Sequence, residues 1–411
     1  MKEIDEPSQI CSSSMTVIED IAPTVAPDVA QSRLPQGIHI VVVVYGAAYA
    51  KLLAEITLAN LAALVREIPQ ELRGKSVLRI LTTASDKSLI ETSASLGTLR
   101  KILRVEILDK LRMGGFDKYG GYGPMVETQR DAVIEAAKVN AALFFVGPDQ
   151  IYSRGSFASF IERLNEGYRV IVGPGVRINR DAARPALLQR IAASDDGSLS
   201  LSPTEQIDLF FRHWHPVNDQ FVIGSEAGIL WKAYIYHRPD PNELLIRFFQ
   251  GPTLVAWPRN GTGFEGFVDH DLVLHCCSDK REIYVIADGV ECLALDMTDD
   301  ARRDVQNLAR FPRVDLLREL FNHRAIKDMQ LRYGLRTCRI HRGDRRQKDV
   351  ERGYRQLARA VDPLIFLALT ERFFYRRLGP KVSSAFRIFA VLNVSTLSLL
   401  LGLLMPRWSR R

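Results

Sequence analysis

The sequence has five cysteines, Cys11, Cys276, Cys277, Cys292 and Cys338, with no CxxC pair and no zinc-finger spacing. That excludes a disulfide framework and a zinc knuckle, and points to reduced thiols in a cytosolic setting. The neighbours Cys276 and Cys277 read as strand packing rather than redox chemistry. The glycine-rich loop 114–124 matches neither GxGxxG nor GxxxxGK[ST], and no GxSxG elbow occurs in the chain, which removes the commonest dinucleotide, P-loop and serine-hydrolase readings of these features. Residues 1–36 lack the apolar core of a signal peptide and carry Pro7, Pro23, Pro27 and Pro35. They read as a disordered arm. Internal repeats and low-complexity tracts are also missing.

What is present is a chain of 411 residues, 46% apolar and 25% charged, ample for a large core. The net charge of +7 is unevenly spread. Residues 332–411 hold 18 Lys and Arg against 5 Asp and Glu, a balance of +13, so the first 331 residues carry −6. A basic tail seeks a polyanion. The run "IFAVLNVSTLSLLLGLLM", 388–405, is 18 residues without a charge. As a helix it is about 27 Å long, close to the hydrocarbon thickness of a bilayer. Arg372, Arg376, Arg377, Lys381 and Arg387 precede it; Arg407, Trp408, Arg410 and Arg411 follow. This favours an anionic membrane surface as partner over nucleic acid, with the main body cytoplasmic. The run either spans the bilayer or lies in its interface; the competing reading is a core helix.

"IHIVVVVYG", 38–46, is a continuous β-branched run of the kind buried on both faces of a parallel sheet. Helical spacing follows over 47–68, a strand over 76–85, a helix over 87–102 and a strand over 104–108. A helix over 125–139 leads into a strand at 141–146, and a helix over 155–166 into "VIVGPGVRIN". This alternation predicts an α/β fold with a mostly parallel sheet flanked by helices. All strand C-termini then share one edge, where ligands gather. The expected organisation is an arm (1–36), an α/β domain (37–300), a basic helical region (301–387) and a hydrophobic segment (388–405).

Several residues near that edge carry chemistry. Asp149 follows the strand "AALFFV" and Gly147-Pro148, where it either meets a ligand or caps a helix near Ser153. Tyr45 and Gly46 end the first strand, and Thr83 and Asp86 end the second. Asp86 either accepts from a ribose or base, or caps the next helix. In "HWHP", His213 and His215 share one face of a strand; His215 is the better metal or phosphate ligand, and a structural pair is the alternative. In "VDHDLVLHC", Asp269 and Asp271 point one way if extended. Either would serve as general base to an acceptor hydroxyl, or cap a helix. The loop "GGFDKYGGYGP", 114–124, offers Tyr119 and Tyr122 as a sugar platform or is a plain surface loop.

The order helix, apolar strand, Pro-Asp, polar turn, Gly-Ser, helix and "VIVGPGVRIN" resembles the middle of a GT-A glycosyltransferase. The resemblance is specific over about 125–180. It implies a Rossmann-like GT-A fold and a nucleotide-sugar donor. It also implies a divalent metal, Mn²⁺ or Mg²⁺, held by the last carboxylate of an Asp-x-Asp motif. Asp149 matches that carboxylate, and Gly147 stands where the first would be. The function expected is a membrane-associated glycosyltransferase acting on a lipid-linked or surface-polysaccharide acceptor. The alternatives are a non-catalytic nucleotide-sugar scaffold or sensor of the same fold, and a nucleotidyltransferase.

Overall fold

The computed structural model describes residues 34–111, 114, 120–223, 234–248, 252–259, 264–268, 271–299, 317, 320–321, 334–343 and 346–404, with side chains to residue 392. Thirteen strands are found among them: β1 (Gly37–Val43), β2 (Val77–Thr82), β3 (Arg104–Asp109), β4 (Ala141–Phe145), β5 (Gln150–Tyr152), β6 (Val170–Val172) and β7 (Gly175–Asn179). After these come β8 (Tyr234–Asp240), β9 (Glu243–Phe248), β10 (Thr253–Ala256), β11 (Ile283–Val285), β12 (Ala294–Thr298) and β13 (Cys338–His341).

The main sheet has the order β11-β6-β10-β4-β1-β2-β3. β1 pairs in parallel with both β2 and β4, and β2 with β3. Only β10 is antiparallel, wedged between β4 and β6. The result is α/β with a mostly parallel central sheet flanked by helices. Every residue of β1 is buried, as its unbroken run of branched side chains requires. The chain moves outward from β1 through β2 to β3 and then returns to place β4 on the other side. The strand order therefore reverses between β1 and β4.

Two smaller sheets complete the body, β5-β12-β7 and β13-β9-β8. β9 shows the period-two logic of a strand buried on both faces. Leu244, Ile246 and Phe248 join the main core, while Leu245 joins a second core with the helix Gln347–Leu378. Arg247, buried beside Leu245, pairs with Asp362 of that helix and donates to Thr337 Oγ1 at 3.1 Å.

The segment after β1 is helical from Ala47 to Glu67, with a π turn at Leu53–Thr57 and a closing 3-10 turn. It is long and apolar enough to cross a membrane, yet 67% of its most apolar 18-residue window is buried in the fold, as in a core helix. The hydrophobic run near the C-terminus belongs to a helix spanning Pro380–Leu404. Cys276 and Cys277 correct a sequence expectation. They close the helix Asp271–Cys276 rather than lie in a strand, and burial pushes the Cys277 thiol up to about 12.

Candidate functional site at the sheet edge

β1 leaves the sheet at Val44, whose N–H donates to Leu81 O at 3.0 Å. Gly46 then takes φ 93°, a left-handed conformation that a side chain would strain. This turn aims the Gly46 N–H at Asp86 Oδ2, 2.8 Å away. The same oxygen accepts from Thr83 Oγ1 at 2.9 Å, and Thr83 Oγ1 accepts from the Asp86 N–H at 3.2 Å. Thr83 is thus the N-cap of the helix Ala84–Glu91, and Asp86 sits inside its first turn. Gly46, Thr83 and Asp86 form one hydrogen-bonded group across the ends of β1 and β2, with Tyr45 preceding Gly46 in the chain. Asp86 is 5% exposed. Tyr45 donates its hydroxyl to Gly121 O at 2.9 Å, so the described end of the glycine-rich loop rests on it. Burial, then the neighbouring Tyr122 and Tyr49, raise the Tyr45 hydroxyl above its ordinary pKa. Tyr119 lies outside the described residues.

Next to β1, β4 ends in a turn whose backbone is held on all sides. Val146 N–H donates to Val41 O at 3.1 Å, Gly147 N–H to Gln150 Oε1 at 2.7 Å, and Thr57 Oγ1 to Pro148 O at 2.9 Å. A Cβ on Gly147 would lie 2.9 Å from Gln150 Cγ, so glycine is what lets the turn close. Asp149 stands at the rim, partly exposed, and its carbonyl accepts from Met297 N–H at 2.9 Å. It caps no helix. β5 follows at once, and the helix Ser156–Asn165 begins seven residues on. That helix is capped from elsewhere, by Glu67. Its carboxylate accepts from the N–H groups of Gly155 (2.7 Å), Phe157 (3.0 Å) and Ala158 (3.2 Å). Burial raises the Glu67 pKa, with those hydrogen bonds and Arg154 opposing it.

The register of β12 on β5 sets a second carboxylate beside this turn. Asp296 pairs with Gln150, and its Oδ1 accepts from Gln150 Nε2 at 2.8 Å. Burial pushes the Asp296 carboxyl up, and the Arg177 guanidinium and the Gln150 hydrogen bond oppose it. The Tyr152 hydroxyl sits between these groups, donating toward Gln150 Oε1 at 3.1 Å. It is raised first by burial and further by Cys292, Asp296 and Asp149. Asp149, Gln150, Asp296 and Arg177 therefore form one polar cluster at the edge. Sequence reasoning missed Asp296 and Arg177. The available signal was a single charge inside each of two apolar strands, "ALDMT" and "GVRIN".

The remaining candidates fall elsewhere. His213 is the C-cap of the helix Pro203–Arg212 and His215 the N-cap of the 3-10 turn Pro216–Phe221, so the pair is not on a strand. His215 is buried, with Nδ1 accepting from Val217 N–H at 3.1 Å. That fixes the proton on Nε2, which donates to Asp299 O at 3.0 Å. Both nitrogens are occupied by protein, which corrects the expectation of a metal ligand. Asp271 opens a helix rather than an extended segment, and its Oδ2 accepts from Phe267 N–H at 2.9 Å. A Cβ on Gly266 would lie 2.1 Å from that oxygen. Asp269 and His270 lie outside the described residues. Among the described residues no three His, Cys, Asp or Glu side chains gather as a metal centre. Of the two residues the sequence offered as metal ligands, Asp149 is the one that stands at the edge.

Neither a protein-family model nor a curated protein matches the sequence. Among solved structures, the chain is similar to the apo form of mouse xyloside xylosyltransferase 1, at 12% identity and a TM-score of 0.22. The match covers 39% of this chain and 60% of that one, less than two thirds of the transferase. A likeness at this level concerns the course of part of the backbone and carries nothing about the chemistry.

Proposed function

We propose that this chain is a GT-A type glycosyltransferase that takes a sugar from a nucleotide-sugar donor. The acceptor in this reading is a lipid-linked or surface-polysaccharide glycan at a membrane, with the main body cytoplasmic. One observation carries it. The strand order reverses between β1 and β4, and the two chains leaving those strands bear Tyr45-Gly46 and Pro148-Asp149. Ligands of open α/β sheets bind in the crevice at such a reversal, outside the strand C-termini.

In this reading the β1–β2 side receives the nucleoside. Asp86 Oδ2 is committed to Gly46 and Thr83, and its other oxygen is the acceptor for ribose hydroxyls or a base N–H. The Tyr45 ring, steadied by Gly121, is a stacking face. On the β4 side Asp149 is the carboxylate that would hold Mn²⁺ or Mg²⁺. Such a cation stabilises the negative charge that grows on the leaving diphosphate. Arg177 adds a fixed positive charge at the same edge. Transfer with inversion needs a base at the acceptor. Of the two candidates, Asp271 has one oxygen committed to Phe267, and Asp269 lies outside the described residues.

The test is thermal stabilisation of the detergent-solubilised full chain by UDP, GDP and CMP sugars, with and without Mn²⁺. The expected result is stabilisation by one donor that needs the cation and is lost in Asp149→Asn. No response to any nucleotide sinks the reading. The alternative, a non-catalytic nucleotide-sugar scaffold or sensor, is favoured by Gly147 in place of a first motif carboxylate. It predicts donor binding with no release of nucleoside diphosphate in the presence of cell lipid extract.

A further inference from the structure

Thirteen large hydrophobic side chains are exposed among the described residues, and eight fall in one stretch: Phe366, Phe373, Tyr375, Leu378, Val382, Ile388, Phe389 and Leu392. They belong to the last two helices, Gln347–Leu378 and Pro380–Leu404, which form a hairpin about Gly379, φ 85°. The inner face of the first helix is spent on the second core through Leu357, Val361, Leu364, Ile365 and Ala368. Phe366 and Phe373, seven residues apart, lie together on the opposite face, with Arg377 continuing the stripe. On the last helix Ile388 and Leu392, one turn apart, are 64% and 61% exposed. The uncharged run 388–405 continues directly from there.

Charge is arranged to match. Residues 363–392 contain five Lys and Arg and one acid, Glu371, a balance of +4. Glu371 is buried at the hairpin corner, accepting from Ser383 Oγ at 2.5 Å and Arg387 Nε at 2.6 Å, so it offers no negative charge to the outside.

We infer that this hairpin docks on an anionic lipid bilayer, its outer apolar side chains entering the interface while Arg377 and Lys381 meet the headgroups. Aromatic and aliphatic side chains interleaved with basic ones, on a helix beside a longer apolar run, are what an interfacial helix requires. A second copy of the chain is the other conceivable cover. A two-fold pairing would set this surface against itself and bring +4 against +4, which disfavours it. The inference deepens the membrane part of the reading above, and its readout, vesicle binding, is separate from nucleotide binding. Failure of either leaves the other standing.

The experiment is flotation of the full chain with vesicles of phosphatidylcholine alone or mixed with phosphatidylglycerol. The expected result is binding that rises with the anionic lipid and falls as salt is added. Arg377→Glu combined with Lys381→Glu should weaken it about tenfold or more. Phe366→Ser combined with Phe373→Ser should weaken it while leaving far-UV circular dichroism and melting unchanged. Equal binding to both kinds of vesicle overturns the proposal, as does wild-type binding by both double variants. So does a discrete dimer in solution that floats with neither vesicle.

Discussion

The sheet edge and the terminal hairpin solve opposite problems. At the edge, polar groups sit among buried apolar strands, and each is tied to a protein partner: Asp86 to Gly46 and Thr83, Asp296 to Gln150, Glu67 to three backbone amides. On the outer half of the hairpin, from residue 363 on, apolar groups sit in the open, and the one acid there, Glu371, is hidden at the corner. A desolvated polar group must be satisfied within the fold, whereas an exposed apolar face asks for something outside it. The edge is therefore expected to behave as one unit with the main core, and the hairpin to yield on its own.

Acid titration of the body should have the largest effect. His39 in β1 is buried, and its Nδ1 has no hydrogen-bond partner. Burial, then Arg79 and Arg104, lower its pKa from 6.5 to about 4. The unfolded chain binds the proton more readily, so His39 favours the folded state fully above about pH 6.5, and that advantage drains away toward pH 4. The loss is up to about 3 kcal/mol. His39→Leu should flatten the pH dependence of the urea midpoint over that window; an unchanged slope would refute the assignment.

Glu371→Ala tests the other side. It should cost about 2 kcal/mol locally, discounted because Arg387 is partly exposed. The cost should be visible as faster hydrogen exchange over 363–392, with the main-body melt hardly moved. A matching fall in the melt of the whole chain would mean that the two regions are not separable. Glu67→Ala should do the reverse. It leaves three amides at the start of Ser156–Asn165 without an acceptor and should lower global stability by about 2 kcal/mol. Thr83→Ala removes an N-cap and one of the two ties on Asp86, for about 1 kcal/mol by chemical denaturation. If instead it leaves stability unchanged, the Thr83–Asp86 pair is not holding the edge.

Much of the body was legible because its strands are extreme. A run such as "IHIVVVV" has one stable location, the centre of a sheet. The helix after it and the strand at 141–146 were legible for similarly local reasons. What escaped detection depends on partners distant in sequence. β5 is three residues long and exists because β12 lies against it. Capping stayed open as one of two readings of Asp149 because nothing near it announces that Glu67, 88 residues before Gly155, performs that task. "HWHP" was read as extended from its i, i+2 spacing, but the preceding helix runs to Arg212 and leaves the two histidines in capping positions on either side of Trp214.

Glu67 has one more consequence. The amino end of a helix that follows a sheet strand is a ready receptor for a phosphoryl group, because its free amides and dipole point outward. In this chain the helix Ser156–Asn165 has its receptor plugged by an internal anion. An external phosphoryl group would find that end already occupied, so any anion this chain binds must take its counter-charge from elsewhere.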